Sequence, residues 1–243
     1  MSMLARDSGA PRSLVHPSSE DAELSRLEKR LPPLLSVIAG MVDLTGFFTL
    51  GHVFTAHVTG NLVVAAAAAV HAAPFNTAQA LAIPVFMVAL AVIWLIAEAS
   101  HRRGEGLGRV LLVVQFLLLA AVLIFTVITR PSIDPGGFAA GIAVMIAVSA
   151  MACQYALLRL ALPRVVSTAV MTGNLTNATL SLMGLLWKSR SPSRADAERL
   201  KESLRLLVGF LVGCVVAAVA VSFLADWAWS LPVALAALAI AVR

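Results

Sequence analysis

Eight long hydrophobic runs, separated by short polar or turn-forming breaks, set the pattern of the chain. They cover residues 34–51, 53–72, 79–100, 108–129, 136–158, 165–187, 203–225 and 227–242. These runs are too long for the strands of a membrane β-barrel, and they lack the alternation of apolar and polar residues that such strands show. Because a chain in lipid must satisfy its backbone hydrogen bonds internally, the remaining possibility is that these runs are helices. The pattern therefore predicts an all-α integral membrane protein.

The positions of the basic residues predict about six net transmembrane crossings. They cluster before the first run, at 101–109 and at 188–205, and the positive-inside rule places all three regions in the cytoplasm. Eight crossings that start inside would put 101–109 outside. We therefore expect residues 34–72 and 136–187 each to make one net crossing, as a spanning helix plus a broken or re-entrant helix. Counts of seven or eight stay open, because the rule has exceptions.

Composition supports a membrane location and excludes several other classes. Sixty per cent of the 243 residues are hydrophobic and only 13% are charged, whereas a soluble chain is about 25% charged. The net charge of +5 comes from short loops beside hydrophobic runs, so it indicates topology and not nucleic-acid binding. Cys153 and Cys214 form neither a disulfide framework nor a metal-site pattern. We predict no cofactor and no metal.

The first 31 residues form a polar tail that precedes the membrane region. The tail has no apolar core of the kind that a signal peptide needs. Residues 1–18 are expected to be disordered, and residues 20–30 are expected to form a short polar helix that Pro32 and Pro33 stop.

An internal repeat divides the membrane region into two halves. The stretch 53–62 matches 166–175, and both stretches end in Thr-Gly-Asn-Leu inside an apolar run. The predicted division is a tail at 1–31, repeat 1 at 32–130 and repeat 2 at 131–243. Three net crossings per half make the repeats inverted, a design in which transporters place their site at the midplane, where interrupted helices meet. The alternative is that Thr-Gly-Asn is only a helix-packing motif.

Both halves carry motifs of a known family. The residues concerned are Gly40, Asp43, Phe47, Phe48, Gly51, Phe54, Thr59-Gly60-Asn61, Gln154 and Thr172-Gly173-Asn174. Over about residues 32–242 the chain resembles the YoaK-like family of bacterial multi-pass membrane proteins, which is defined by domain of unknown function 1275. The resemblance implies a protein of the bacterial inner membrane and does not indicate a substrate.

Asp43 is the sharpest candidate for chemistry, because it alone among the acidic residues lies in the middle of a hydrophobic run. A charge there costs at least about 2.5–3.5 kcal/mol and usually faces a bundle interior or a water-filled path. Asp43 is therefore either a cation or proton site or a hydrogen-bonded structural carboxyl. His57 is a candidate proton-responsive group beside it. The predicted solute or ion site consists of Asp43, His57, Thr59, Gly60, Asn61, Gln154, Thr172, Gly173 and Asn174.

The sequence thus favours a small-solute or ion transporter, or a channel, of the bacterial inner membrane, with both termini cytoplasmic. The alternative is a membrane scaffold or accessory subunit in which the same polar residues join helices. We predict no enzyme activity, because one acid and scattered histidines make no catalytic set. The expected partners are the lipid bilayer and an unidentified small solute or ion, without nucleic acid, and an oligomer stays open.

Overall fold

The computed structural model describes residues 19–70, 76–103, 106–162, 171–187 and 194–242. Within these ranges the chain is helical, with no strand. The helices are α1 (Ser19–Thr49), α2 (Gly60–Val70), α3 (Thr77–Arg103), α4 (Leu107–Thr129), α5 (Phe138–Ala156), α6 (Met171–Trp187), α7 (Arg194–Leu224) and α8 (Ser230–Ala241). The expected disorder of residues 1–18 lies outside the described residues.

Five helical stretches are long and apolar enough to cross a membrane. They are Arg30–Thr49, Thr77–Ala99, Leu107–Thr129, Phe138–Ala161 and Arg194–Ala241. The last stretch contains both α7 and α8, joined by a 3₁₀ turn at Ala225–Trp229. These apolar helices indicate a multi-pass membrane protein.

The helix of the polar tail does not stop at Pro32 and Pro33, so that prediction was wrong. Both prolines lie inside α1, which continues to Thr49. A proline removes one helical hydrogen bond and crowds the preceding turn, but in a packed membrane helix the neighbouring helices compensate for the loss. Here α7 provides that packing, since its Gly209 lies against the backbone carbonyl of Pro33.

The second hydrophobic run is not helical at its start. Residues 50–59 follow α1 without helical structure, and α2 begins only at Gly60. The run then returns to its starting point: the Asn76 amide donates to the Gly51 carbonyl at 2.9 Å, and the Gln79 amide donates to the His52 carbonyl at 3.3 Å. The residues on either side of α2, at 51–52 and at 76–79, therefore lie at the same end of the molecule.

We call that end the Gly51 end. The turn between α4 and α5 and the turn after α7 also lie there. The backbone of Pro135, between α4 and α5, lies against Gly51. Ser132 donates its backbone N–H and its hydroxyl to Asp226, just beyond α7, and the hydroxyl contact measures 2.6 Å. The opposite end, the Arg30 end, holds the starts of α4 and α7. Because α8 packs back along α1 and α4, the chain reverses at Ala225–Trp229.

Helices α1 and α5 form the buried centre. On one side α1 packs along α7, and on the other side α5 packs between α3 and α4. Three glycines bring α1 and α7 into backbone contact, because a Cβ on Gly40 or Gly213 would lie 2.2 Å from a carbonyl oxygen of the other helix. Gly209 precedes Gly213 by four residues, which is the small-residue spacing of close membrane-helix pairs. The two helices run in parallel.

Candidate functional site

Asp43 holds the non-helical segment against α1. The backbone N–H groups of Thr55 and Ala56 each donate to its Oδ1 at 2.7 Å, and the Thr55 hydroxyl lies 3.4 Å away. The side chain is only 6% exposed. A segment without helical hydrogen bonds needs other partners for its backbone donors in an apolar interior. Asp43 supplies those partners.

The second oxygen of Asp43 pairs with a histidine. His57 Nδ1 lies 2.6 Å from Asp43 Oδ2, and the His57 side chain remains 32% exposed. Its ring also makes an edge contact with Phe210 of α7, at a centroid distance of 5.1 Å. The imidazole therefore contacts a buried carboxylate on α1 and a ring of α7 while part of its own surface stays exposed.

Asn61 closes the segment from its other end. Its Oδ1 accepts from the Phe54 N–H at 2.8 Å, and its Nδ2 donates to the Phe54 carbonyl at 2.7 Å. Together these bonds replace the pairing that a neighbouring strand would give Phe54. Thr59 is exposed, and Gly60 packs against the Phe54 ring, which a Cβ at Gly60 would approach to 3.2 Å.

The sequence predicted a site at the midplane, and the structure places Asp43 inside the candidate span of α1, nearer one end of that span than its centre. Asp43 is six residues, or about 9 Å along the axis, before the C-terminal end of α1. The candidate span of α1 is 20 residues long. Asp43 and the residues bound to it therefore lie about a third of the way in from the Gly51 end.

The predicted residue Gln154 belongs to a different contact. Its Nε2 donates to the Leu35 carbonyl at 2.9 Å, and its Oε1 accepts from Gln115 at 2.7 Å. This chain joins α5, α1 and α4 toward the Arg30 end. The next residue makes the link to the site, because the Tyr155 hydroxyl donates to the Ala56 carbonyl.

The second Thr-Gly-Asn lies on another part of the molecule. Thr172, Gly173 and Asn174 form the first turn of α6, which packs against α7. Asn174 is buried and Thr172 is exposed. The residues just before them, 163–170, are not among those described, and no described contact joins the second motif to Asp43.

The predicted site left out two residues that complete it. Tyr155 is the single tyrosine of the chain, and Thr55 supplies both backbone and hydroxyl contacts to Asp43. The signal for Thr55 was its place in the repeated stretch 53–62. Among the described residues no group of three or more histidine, cysteine, aspartate or glutamate side chains is placed to hold a metal ion.

Comparison with known proteins gives one match. A family described as "Protein of unknown function (DUF1275)" matches residues 31–242. No curated protein and no solved structure matches the chain.

Proposed function

The chain belongs to the DUF1275 family, and we propose that it is a transporter or channel for a small solute or an ion. The observation that carries the proposal is the pairing of Asp43, inside the candidate membrane span of α1, with His57, on the non-helical backbone that follows α1. Irregular backbone at that depth is tolerated only where protein buries it or where it lines a water-filled cavity. Ionisable residues inside membrane proteins mark ion pathways and proton relays. The part-exposed His57 gives Asp43 a route for proton exchange.

An inverted repeat is the architecture that we infer for this transporter. Exchanging α1, α2, α3 and α4 with α5, α6, α7 and α8 preserves the main packing pairs. Under that exchange the α1–α7 pair becomes the α5–α3 pair, and the α4–α5 pair becomes the α8–α1 pair. Helix α1 runs toward the Gly51 end and α5 runs away from it, so the exchange reverses direction. These relations support six net crossings with α2 and α6 as the interrupted elements.

A specific observation also supports the scaffold alternative. Both oxygens of Asp43 and both polar atoms of the Asn61 amide already have partners within the chain. In a scaffold these contacts would hold the segment 51–60 in place and do nothing else. Asp43→Asn removes the charge and keeps the shape of the side chain, so it distinguishes the transporter from the scaffold: only a transporter should lose ion flux.

Ion flux in proteoliposomes tests the proposal. The purified protein is reconstituted with a pH-sensitive or a sodium-sensitive dye inside, and a membrane potential or a Na⁺ gradient is imposed. We expect the wild type to pass protons or Na⁺ and Asp43→Asn to lose that flux. Asp226→Asn is the matched control, because Asp226 is equally buried, at 6% exposure, but lies among the outer turns. It should keep the flux.

Two results would contradict transport through this site. One is equal flux in the wild type and Asp43→Asn. The other is no flux in any variant, together with an unfolding temperature that neither Na⁺, K⁺ nor pH changes more in the wild type than in Asp43→Asn, since a ligand of the folded state must stabilise it. The second result supports the scaffold.

A further inference from the structure

A groove opens toward the Arg30 end between α1, α6 and α7. Its volume is about 1090 Å³. Three cations line it: Arg30 from α1, and Lys201 and Arg205 from α7. Its remaining wall is apolar, with Leu34 and Val37 from α1, Leu185 from α6, and Leu204 and Val208 from α7.

The cations lie in the half of the groove nearer the Arg30 end, and part of its apolar wall continues deeper. Gly209 lies against Pro33, and Gly213 lies against Val37, so the parallel helices α1 and α7 have a fixed register. That register places Arg30 and Arg205 at about the same height. Lys201 is one turn farther toward the end of the molecule, whereas Val37 and Val208 lie deeper in the membrane region.

The three cations are not neutralised by the described part of the chain. Among the side chains that the structure describes, the one ion pair is that of His57 with Asp43. The acidic residues Asp196, Glu198 and Glu202 of α7 are not among the residues that line the groove. The groove therefore presents positive charge at the membrane surface above an apolar cleft.

We propose that this groove binds one anionic phospholipid, with the phosphate at Arg30, Lys201 and Arg205 and an acyl chain between α1, α6 and α7. A basic pocket between membrane helices at the side that carries the positive loops is where anionic headgroups bind. Charge complementarity selects an anionic lipid over a zwitterionic one. The apolar wall selects a lipid over a free phosphate.

Lipid titration of the purified full chain, followed by native mass spectrometry, tests the proposal. The probes are phosphatidylglycerol, phosphatidylcholine and inorganic phosphate. We expect phosphatidylglycerol to bind best and its dissociation constant to rise about fivefold for each of Arg30→Gln, Lys201→Gln and Arg205→Gln. The matched control removes three charges away from the groove, with Arg109→Gln, Arg159→Gln and Arg199→Gln, and should bind as the wild type does.

A second variant tests the apolar wall without changing charge. Val208 is 56% exposed, so Val208→Trp adds bulk to the groove without disturbing the core. We expect it to weaken phosphatidylglycerol binding while inorganic phosphate has no effect on any variant.

Four outcomes would overturn the proposal. Phosphatidylcholine binding equal to that of phosphatidylglycerol would remove the role of charge, and equal losses in the control variant would remove the role of these three cations. Competition by inorganic phosphate, together with unchanged binding in Val208→Trp, would assign the groove to a small anion. Lipid binding that begins only when residues 1–18 are deleted would assign the groove to that segment of the chain.

Discussion

At the scale of single residues, the site is organised by side chains that replace missing helical hydrogen bonds. Asp43 accepts from three consecutive backbone N–H groups, those of residues 55–57, and Asn61 pairs with both polar groups of the Phe54 backbone. Each of these buried backbone groups would otherwise be unsatisfied, at a cost of about 1–3 kcal/mol. The polar residues that the sequence marked as candidates for binding are thus also what holds the segment in shape.

Asn61→Ala should loosen this segment. It removes both bonds to Phe54 and leaves two backbone groups without a partner, so we expect a loss of about 2–4 kcal/mol in the free energy of unfolding. Hydrogen exchange should speed up at the amides of residues 54–57. Thermal unfolding in detergent and exchange mass spectrometry measure the two effects.

Asn177→Ala is the control for that substitution. Asn177 is exposed on α6, and a surface change of this kind usually costs less than about 0.5 kcal/mol. If Asn61→Ala and Asn177→Ala have equal effects, or if the amides of residues 54–57 exchange at the wild-type rate, the hydrogen bonds between Asn61 and Phe54 do not hold the segment.

At the scale of helices, the closest contact is the crossing of α1 and α7. Carbonyl oxygens of one helix lie where a Cβ of the other would stand, at Gly40 and at Gly213. Helices in lipid gain little from apolar burial against each other, so close backbone packing has a larger share in their association. This crossing also lies beside His57, whose ring touches Phe210 between Gly209 and Gly213.

Gly213→Ala should destabilise the protein. The new methyl group would lie 2.2 Å from the Val37 carbonyl oxygen, a backbone atom that cannot move without shifting α1. We expect a loss of about 1–3 kcal/mol, the usual cost of overpacking a core. The midpoint of thermal unfolding in detergent measures it.

Gly141→Ala on α5 provides the comparison for Gly213→Ala. No atom lies within 4 Å of the position that its Cβ would take. An alanine is favoured over glycine in a helix interior by about 1 kcal/mol, so its unfolding midpoint should stay equal or rise. A fall of the same size in both variants would show that the α1–α7 contact is not the cause.

The sequence predicted helical elements well and local geometry less well. Hydrophobic runs of about 20 residues locate each spanning helix, because lipid leaves the backbone few alternatives. The sequence predicted a broken or re-entrant helix within residues 34–72, but it did not show that the non-helical stretch covers residues 50–59, because Val53 and Phe54 are as apolar as a helix in lipid requires. The sequence also could not predict the partner of Gln154. The face of α5 that packs on α1 depends on contacts between segments that are distant in sequence.

At the scale of the whole molecule, the positively charged residues lie mostly at one end. Every lysine or arginine that the structure describes, apart from Arg130, lies toward the Arg30 end. The Gly51 end carries the uncharged link before α3 and the Ser132–Asp226 contact. From the positive-inside rule we expect the Arg30 end to face the cytoplasm. In that orientation the groove proposed to bind a phospholipid would face the inner leaflet.

Cysteine labelling should show this orientation. In a background with Cys153→Ala and Cys214→Ala, single cysteines are placed at the exposed positions Thr77, Ile133, Gly106 and Ala195. Spheroplasts are treated with a membrane-impermeant maleimide. We expect Thr77→Cys and Ile133→Cys to be labelled in intact spheroplasts, because both lie at the Gly51 end.

Gly106→Cys and Ala195→Cys should react only after the membrane is permeabilised. They flank the starts of α4 and α7 at the Arg30 end. Because Thr77 and Ile133 lie at the same end of the molecule, the chain between them must cross the membrane an even number of times in either orientation. If Thr77 and Ile133 label from opposite sides, the paired spans α3 and α4 do not both cross. If Gly106→Cys and Ala195→Cys are labelled in intact spheroplasts and Thr77→Cys and Ile133→Cys only after permeabilisation, the number of crossings is as proposed but the protein has the opposite orientation.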